Sequence, residues 1–330
     1  MNTPIDPDTS SSWLCPLPET GLLAINGKDA PSFLQGQTTC DMLGLAPGRT
    51  TLGSICNPKG RVVALFRAFK WEDVFYLLLP AELIAAVQKR LRMYVLRADV
   101  KLEDVSSEWA VFGVGGAGLD SALRPLGIPV AAHPNDIVCQ TDCCSIRIPA
   151  AGADRVLLVA RNEKAEALRA ELQDGTHLTR TEPSRWRLAD IQAGIPCVGL
   201  AISEEFVPQM LNLDLLGGIS FSKGCYTGQE IVARTHYLGN LKRRMFRLQS
   251  ASDIEPEAGE PIYTSDPEAQ SVGMVVASAP AAEGSHQMLA VLNMAHAQRS
   301  DLRLHRSSDS RLSLLILPYQ STADIINHEP

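Results

Sequence analysis

Lys223-Gly224-Cys225-Tyr226-Thr227-Gly228-Gln229-Glu230 is the stretch on which the reading of this chain turns. Thr227-Gly228-Gln229-Glu230 has the form of a capping box, which predicts a helix with Thr227 as its N-cap. Ile231, Val232 and Tyr237 then begin an apolar stripe. Cys225 lies two residues before the expected cap. A helix N-terminus carries roughly half a positive charge and stabilises a nearby anion. Lys223 adds a full charge beside it. Both effects favour thiolate, the nucleophilic form of cysteine. The bland reading is a structural cysteine in a tight turn.

Outward from this stretch, the residues Lys223 to Arg247 hold six cations (Lys223, Arg234, Lys242, Arg243, Arg244, Arg247) against one acid, Glu230. This excess stands in a chain of net charge −7. It suits a phosphate, a polyglutamate tail or RNA; the alternative is a solvated face leading into a strand. The acidic total and the lack of aromatic interleaving among those arginines argue against direct nucleic-acid binding. Upstream, Trp186 between Arg185 and Arg187 could stack on a flat heterocycle, or serve as core.

The 330 residues suffice for two or three cored domains, and 45% apolar with 20% charged residues is ordinary for a globular protein. No run of about 18 apolar residues exists, so no membrane span is expected. The start lacks the basic head and apolar middle of a secretory signal. A cytoplasmic location is the default expectation. In a reducing compartment the eight cysteines are expected to remain unpaired. Cys139, Cys143 and Cys144, with His133 upstream, lack the paired spacing of a metal site, so no metal is expected.

Strand-like runs at Thr50–Cys56, Val62–Phe69 and Val74–Leu79 are joined by turns at 57–60 and 71–73. A helix opens at Pro80, with Leu83, Ile84, Val87, Leu91 and Val95 on one stripe. Further helices are expected at 163–172 and from Thr181 to about Ala193. No GxGxxG follows a strand. The pattern predicts α+β layers rather than a doubly wound parallel sheet. From Met245 the texture changes to short alternating runs at 245–248, 272–277, 288–292 and 312–317, which read as a small β-barrel.

The octapeptide resembles the signature of the YgfZ family of folate-binding proteins. Phe33-Leu34-Gln35-Gly36-Gln37, Asn57-Pro58-Lys59-Gly60-Arg61, Ala193-Gly194-Ile195-Pro196, Pro208-Gln209 and Asn212-Leu213 resemble the family in the same order, and Gly217-Gly218-Ile219-Ser220-Phe221 leads into the signature. The resemblance covers about Leu22 to Leu317. It implies the fold of the glycine-cleavage T-protein, an aminomethyltransferase: a three-lobed ring around a tetrahydrofolate cavity. It also implies a part in maintaining iron–sulfur proteins, including radical enzymes that modify tRNA.

By the same resemblance Cys225 is the family's signature cysteine, with Lys223 beside it as the second catalytic candidate. Trp186 falls where the family places a tryptophan near the pterin. Gln192 stands where the fold's pterin-binding carboxylate precedes an Ala-Gly pair; an amide can still donate and accept. Tyr226, Gln229 and Glu230 complete the expected cofactor-binding set. In T-proteins the segment matching 57–65 ends in two acidic residues, one needed for aminomethyl transfer. Ala64 and Leu65 stand there in this chain, so that reaction has no carboxylate.

The expected layout is a disordered leader over 1–20, intertwined α+β folate-binding domains over 21–244 with a sub-lobe at about 47–115, the β-barrel over 245–318 and a loose tail over 319–330. The expected function is a folate-binding accessory protein for assembly or repair of iron–sulfur proteins. It acts as a monomer, with folate and iron–sulfur clients as its partners. A folate-dependent aminomethyltransferase and an RNA-binding or interaction module are the alternatives.

Overall fold

The computed structural model describes residues 12–174, 178–239, 241–251, 254–266, 270–304 and 311–319. Most of the expected leader and tail lie outside these ranges. Six helices are present among the described residues: α1 (Ala30–Gln35), α2 (Ala81–Val95), α3 (Leu119–Leu123), α4 (Asn162–Asp174), α5 (Pro183–Ala193) and α6 (Gln229–Tyr237). The chain divides into two compact units, each assembled from three segments. One comprises Met1–Ala30, Gly44–Thr51 and Arg67–Trp186; the other Pro31–Leu43, Leu52–Phe66 and Arg187–Pro330.

In the first unit a six-stranded sheet runs in the order Thr179–Arg180, Trp13–Pro16, Trp109–Gly115, Arg155–Arg161, Cys143–Ile148 and Ile137–Cys139. Period-2 alternation sends Leu14, Phe112, Val114, Val156 and Leu158 into one core, against Ala165 and Leu168 of α4. A second set of antiparallel pairs joins Val74–Pro80 to Thr20–Asn26, and Thr20–Asn26 to Lys101–Asp104. Onto it α2 lays Leu83, Ile84, Val87 and Leu91, all buried, as their spacing predicts.

Two expectations are corrected here. Trp13–Pro16 falls in the stretch read as leader, yet it is a paired strand with Trp13, Leu14 and Cys15 buried. Its brevity hides the strand in the sequence; partners about 100 residues away create it. Cys139 and Cys144 are joined by a disulfide. They are direct cross-strand partners in the hairpin of Ile137–Cys139 and Cys143–Ile148, and facing pairs have Cβ atoms within bridging reach.

The second unit has its own core, in which Cys56, Val62 and Leu65 meet Ile191, Leu211, Leu213, Ile219 and Val232. Toward the C-terminus a curled five-stranded half-barrel runs in the order Pro261–Ile262, Gly273–Pro280, His286–Asn293, Arg243–Ser250 and Leu312–Leu315. A register shift between Val275 and Ala277 bends it. Tyr319, where the loose tail was expected to begin, instead donates its hydroxyl to the carbonyl of Gly194 at 2.8 Å.

Candidate functional site

The second unit carries the octapeptide in an irregular segment leading into α6. The helix begins at Gln229, one residue after Gly228, which adopts a left-handed conformation (φ 84°) and lends no side-chain cap. The expected Thr227 cap is therefore corrected. The hydroxyl of Thr227 instead lies 3.5 Å from Oε1 of Gln37. The cause is the turn over 57–60. Asn57 Oδ1 accepts from the backbone N–H groups of Lys59 (2.9 Å) and Arg61 (3.0 Å), which closes that turn. The closed turn packs onto residue 228 so tightly that a Cβ there would stand 2.5 Å from the carbonyl oxygen of Asn57. Only glycine fits this approach, and it sets where the helix starts.

Lys223 anchors the other end of the segment. Its Nζ donates to the carbonyl of Thr38 at 2.6 Å and to that of Cys40 at 2.7 Å. It also lies 5.1 Å from the centroid of the Tyr226 ring. Burial lowers the Lys223 amine to about 8, an effect only partly offset by Cys40 and Asp41. Burial likewise pushes the Cys40 thiol up to about 11, against its hydrogen bond with Thr38 and the charge of Lys223. Tyr226 is buried and its hydroxyl is raised, chiefly by that burial. The lysine expected beside Cys225 thus sends its charge into the 38–40 loop. That loop is fastened in turn: the Thr39 hydroxyl donates to the Gly218 carbonyl at 2.7 Å.

Between these anchors Cys225 is exposed and outside any disulfide. Glu230 is exposed in the first turn of α6, and Gln229 opens that helix half-buried. The structure therefore gathers Lys223, Cys225, Tyr226, Gln229 and Glu230 on one anchored segment.

Gln192, half-buried near the end of α5, belongs to the same unit. Its neighbourhood is held by residues that sequence reading missed. Tyr319 bonds Gly194, and Asn212 Nδ2 donates to the Met245 carbonyl at 2.9 Å and lies 3.3 Å from the Tyr319 hydroxyl. Arg244 donates to Asn212 Oδ1 at 3.1 Å and grips Asp214 in a two-pronged pair of 3.1 and 2.9 Å. Such a fork between half-buried partners is worth more than a surface pair. It commits Arg244, one of the six cations of the basic stretch, to structure.

Trp186 belongs to the first unit and is only 8% exposed. Its ring lies on Gly113, where a Cβ would collide with it. The guanidinium of Arg155 stands 4.8 Å from the ring centroid and Trp13 meets it edge-on at 6.4 Å. Arg155 is itself buried, with Nε and Nη2 donating to the Pro149 carbonyl at 3.1 and 2.9 Å. Ala64 and Leu65 are both buried in the strand Val62–Trp71. Among the described residues no group of three or more His, Cys, Asp or Glu is placed to hold a metal ion, and no helix is long and apolar enough to cross a membrane.

Residues 14–132 match the family model described as the GCVT N-terminal domain. A protein of Pectobacterium carotovorum subsp. carotovorum (strain PC1), called tRNA-modifying protein YgfZ, is 32% identical over 323 residues, covering 96% of this chain and 95% of its own. The protein of that name from Edwardsiella ictaluri (strain 93-146) is 33% identical over 302 residues, covering 90% and 89%. Among solved structures, the glycine cleavage system aminomethyltransferase T of Bartonella henselae superposes with a TM-score of 0.75 at 15% identity, over 94% of this chain and 87% of that one. At that identity the likeness speaks for the fold.

Proposed function

This chain belongs to the YgfZ family, and from that membership we propose that it is a folate-binding accessory protein for the assembly or repair of iron–sulfur proteins, tRNA-modifying radical enzymes among them. Cys225 is its working thiol. The observation that carries this reading is the mounting of Cys225: exposed, between a lysine tied to the 38–40 loop and a glycine seated on the 57–60 turn. A thiol held this way is open to a client protein while its backbone stays placed. Accessible thiols are the ones that exchange or ligate.

Tetrahydrofolate is the cofactor of this proposal, and when bound it supplies a carrier for one-carbon units. Gln192 fits the pterin edge in chemistry, since one amide donates and accepts. Tyr226, Gln229 and Glu230 are the further folate-binding candidates. Trp186 is committed to Gly113 and Arg155, so it serves by packing. Aminomethyl transfer is the weaker reading, because Ala64 and Leu65 offer no group to steer the folate nitrogen. In a strain lacking the protein, Cys225→Ala should fold normally by circular dichroism yet fail to restore tRNA thiolation; full rescue would sink the proposal.

A further inference from the structure

We propose that the C-terminal end of α6 is a docking surface for single-stranded RNA, formed by a stack of rings with exposed cations on the helix and in the chain that follows it. The rings of Phe221 and His236 are stacked at 3.7 Å with 14° between planes. Tyr237 stands edge-on to both, at 6.2 Å from Phe221 and 4.7 Å from His236. Phe221 roots the stack, since it packs against the core of the second unit. The other two rings face outward: His236 is exposed and Tyr237 is 66% exposed, with Leu238 beside them at 84%. Contiguous exposed apolar surface rimmed by polar groups marks an interaction site more than single exposed side chains do.

The cations sort into two groups. Lys223, Arg244 and Arg247 are spent on internal partners: two carbonyls, Asp214 and Gln287. Arg234, Lys242 and Arg243 are exposed, and among the described residues their side chains carry no ion pair or hydrogen bond. Arg234 lies one helical turn before Tyr237, so the two are neighbours on the helix surface. Lys242 and Arg243 follow within six residues of Tyr237. An exposed arginine one turn from the open Tyr237 ring, with two more exposed cations close behind in the chain, on a protein of net charge −7, is a local complement to a polyanion that also has flat faces.

Such a polyanion is a nucleic acid with unpaired bases. Bases stack on aromatic side chains only when they are free of a duplex, and phosphates meet the Arg and Lys groups. An acidic peptide would use the cations and leave the rings idle. The choice of RNA over DNA rests on the tRNA-linked role proposed above; the stack itself lies outside the Cys225 segment.

The test is fluorescence anisotropy of the full chain with a labelled single-stranded RNA, across a salt series. Tyr237→Ala and His236→Ala should each weaken binding about tenfold, the order of effect expected for losing one base stack. The triple variant Arg234→Gln, Lys242→Gln, Arg243→Gln should flatten the salt slope by about 2, at about 0.7 per phosphate contact. Cys225→Ala should bind RNA unchanged, which separates this surface from the thiol's role. Absent binding at low salt, or ring variants that bind like the parent, would overturn the proposal. So would tighter binding of a single-stranded DNA of the same sequence. Polyglutamate bound equally well, with no dependence on the rings, would assign the surface to an acidic protein instead.

Discussion

The ammonium of Lys223 donates to the backbone carbonyl of Cys40 at 2.7 Å, across 183 residues of chain. The lysine nearest in sequence to the exposed cysteine thus serves a buried one, and its charge fastens two loops together.

A pH dependence follows from this placement. Burial holds the Lys223 amine at about 8, below the ~10.4 of an unfolded lysine. Between those values the unfolded chain binds more protons than the folded one, so this group's contribution to stability rises with pH. Cys40 opposes it: its thiol is raised to about 11 from ~8.5 unfolded, so its contribution falls as pH climbs through that range. Urea unfolding of the parent and of Lys223→Met should isolate the lysine. The parent's stability relative to the variant should grow from about pH 8 to about pH 10. A flat or shrinking difference would count against the burial of this amine.

Gly228 sets the start of α6, and replacing it tests the turn packed against it. Gly228→Ala combines a left-handed φ of 84° with a Cβ 2.5 Å from the Asn57 carbonyl oxygen. A loss of about 2–3 kcal/mol is expected, seen as a lower midpoint in denaturant. Thr227→Ala, by contrast, should lack the ~1 kcal/mol penalty of a lost N-cap. If Thr227→Ala proved the more costly of the two, the cap assignment would be wrong.

Gln192 offers a gain-of-affinity test of folate binding. Gln192→Glu restores a charged acceptor, and charge-assisted hydrogen bonds are roughly twice as strong as neutral ones. Calorimetric titration with tetrahydrofolate should show tighter binding for Gln192→Glu and loss for Gln192→Ala. Equal affinity in all three chains would remove Gln192 from the folate site.

The packing of Trp186 on Gly113 makes a prediction for the first unit. Gly113→Ala drives a Cβ into the indole, and overpacking of this kind costs about 1–3 kcal/mol. The tryptophan emission should shift to the red as the ring is displaced toward water. An unshifted spectrum with parent stability would mean that the contact is loose.

Much of the architecture was legible along the chain, because local periodicity is a property of neighbours. The stripe Leu83, Ile84, Val87 and Leu91 marked α2, and it is buried as its spacing predicts. The alternating runs after Met245 marked the curled sheet. The octapeptide marked the segment that presents Cys225. The strand Trp13–Pro16 was illegible, since four residues carry no period and its pairing comes from Trp109–Gly115. The Cys139–Cys144 bond was hidden for a related reason: their facing positions depend on hairpin register.

By itself the sequence determined the family, the α+β character and the absence of a carboxylate at Ala64 and Leu65. These depend on residue identity and short-range order. Only the tertiary structure decided where charge and shape go. It turned Lys223 toward Thr38 and Cys40 and made Gly228 the helix start through Asn57. It also set Phe221 on His236 while spending three of the six cations internally. Most of these pairs are made by groups far apart in the chain, brought together by burial of the cores beneath them, and no spacing in the sequence encodes that meeting.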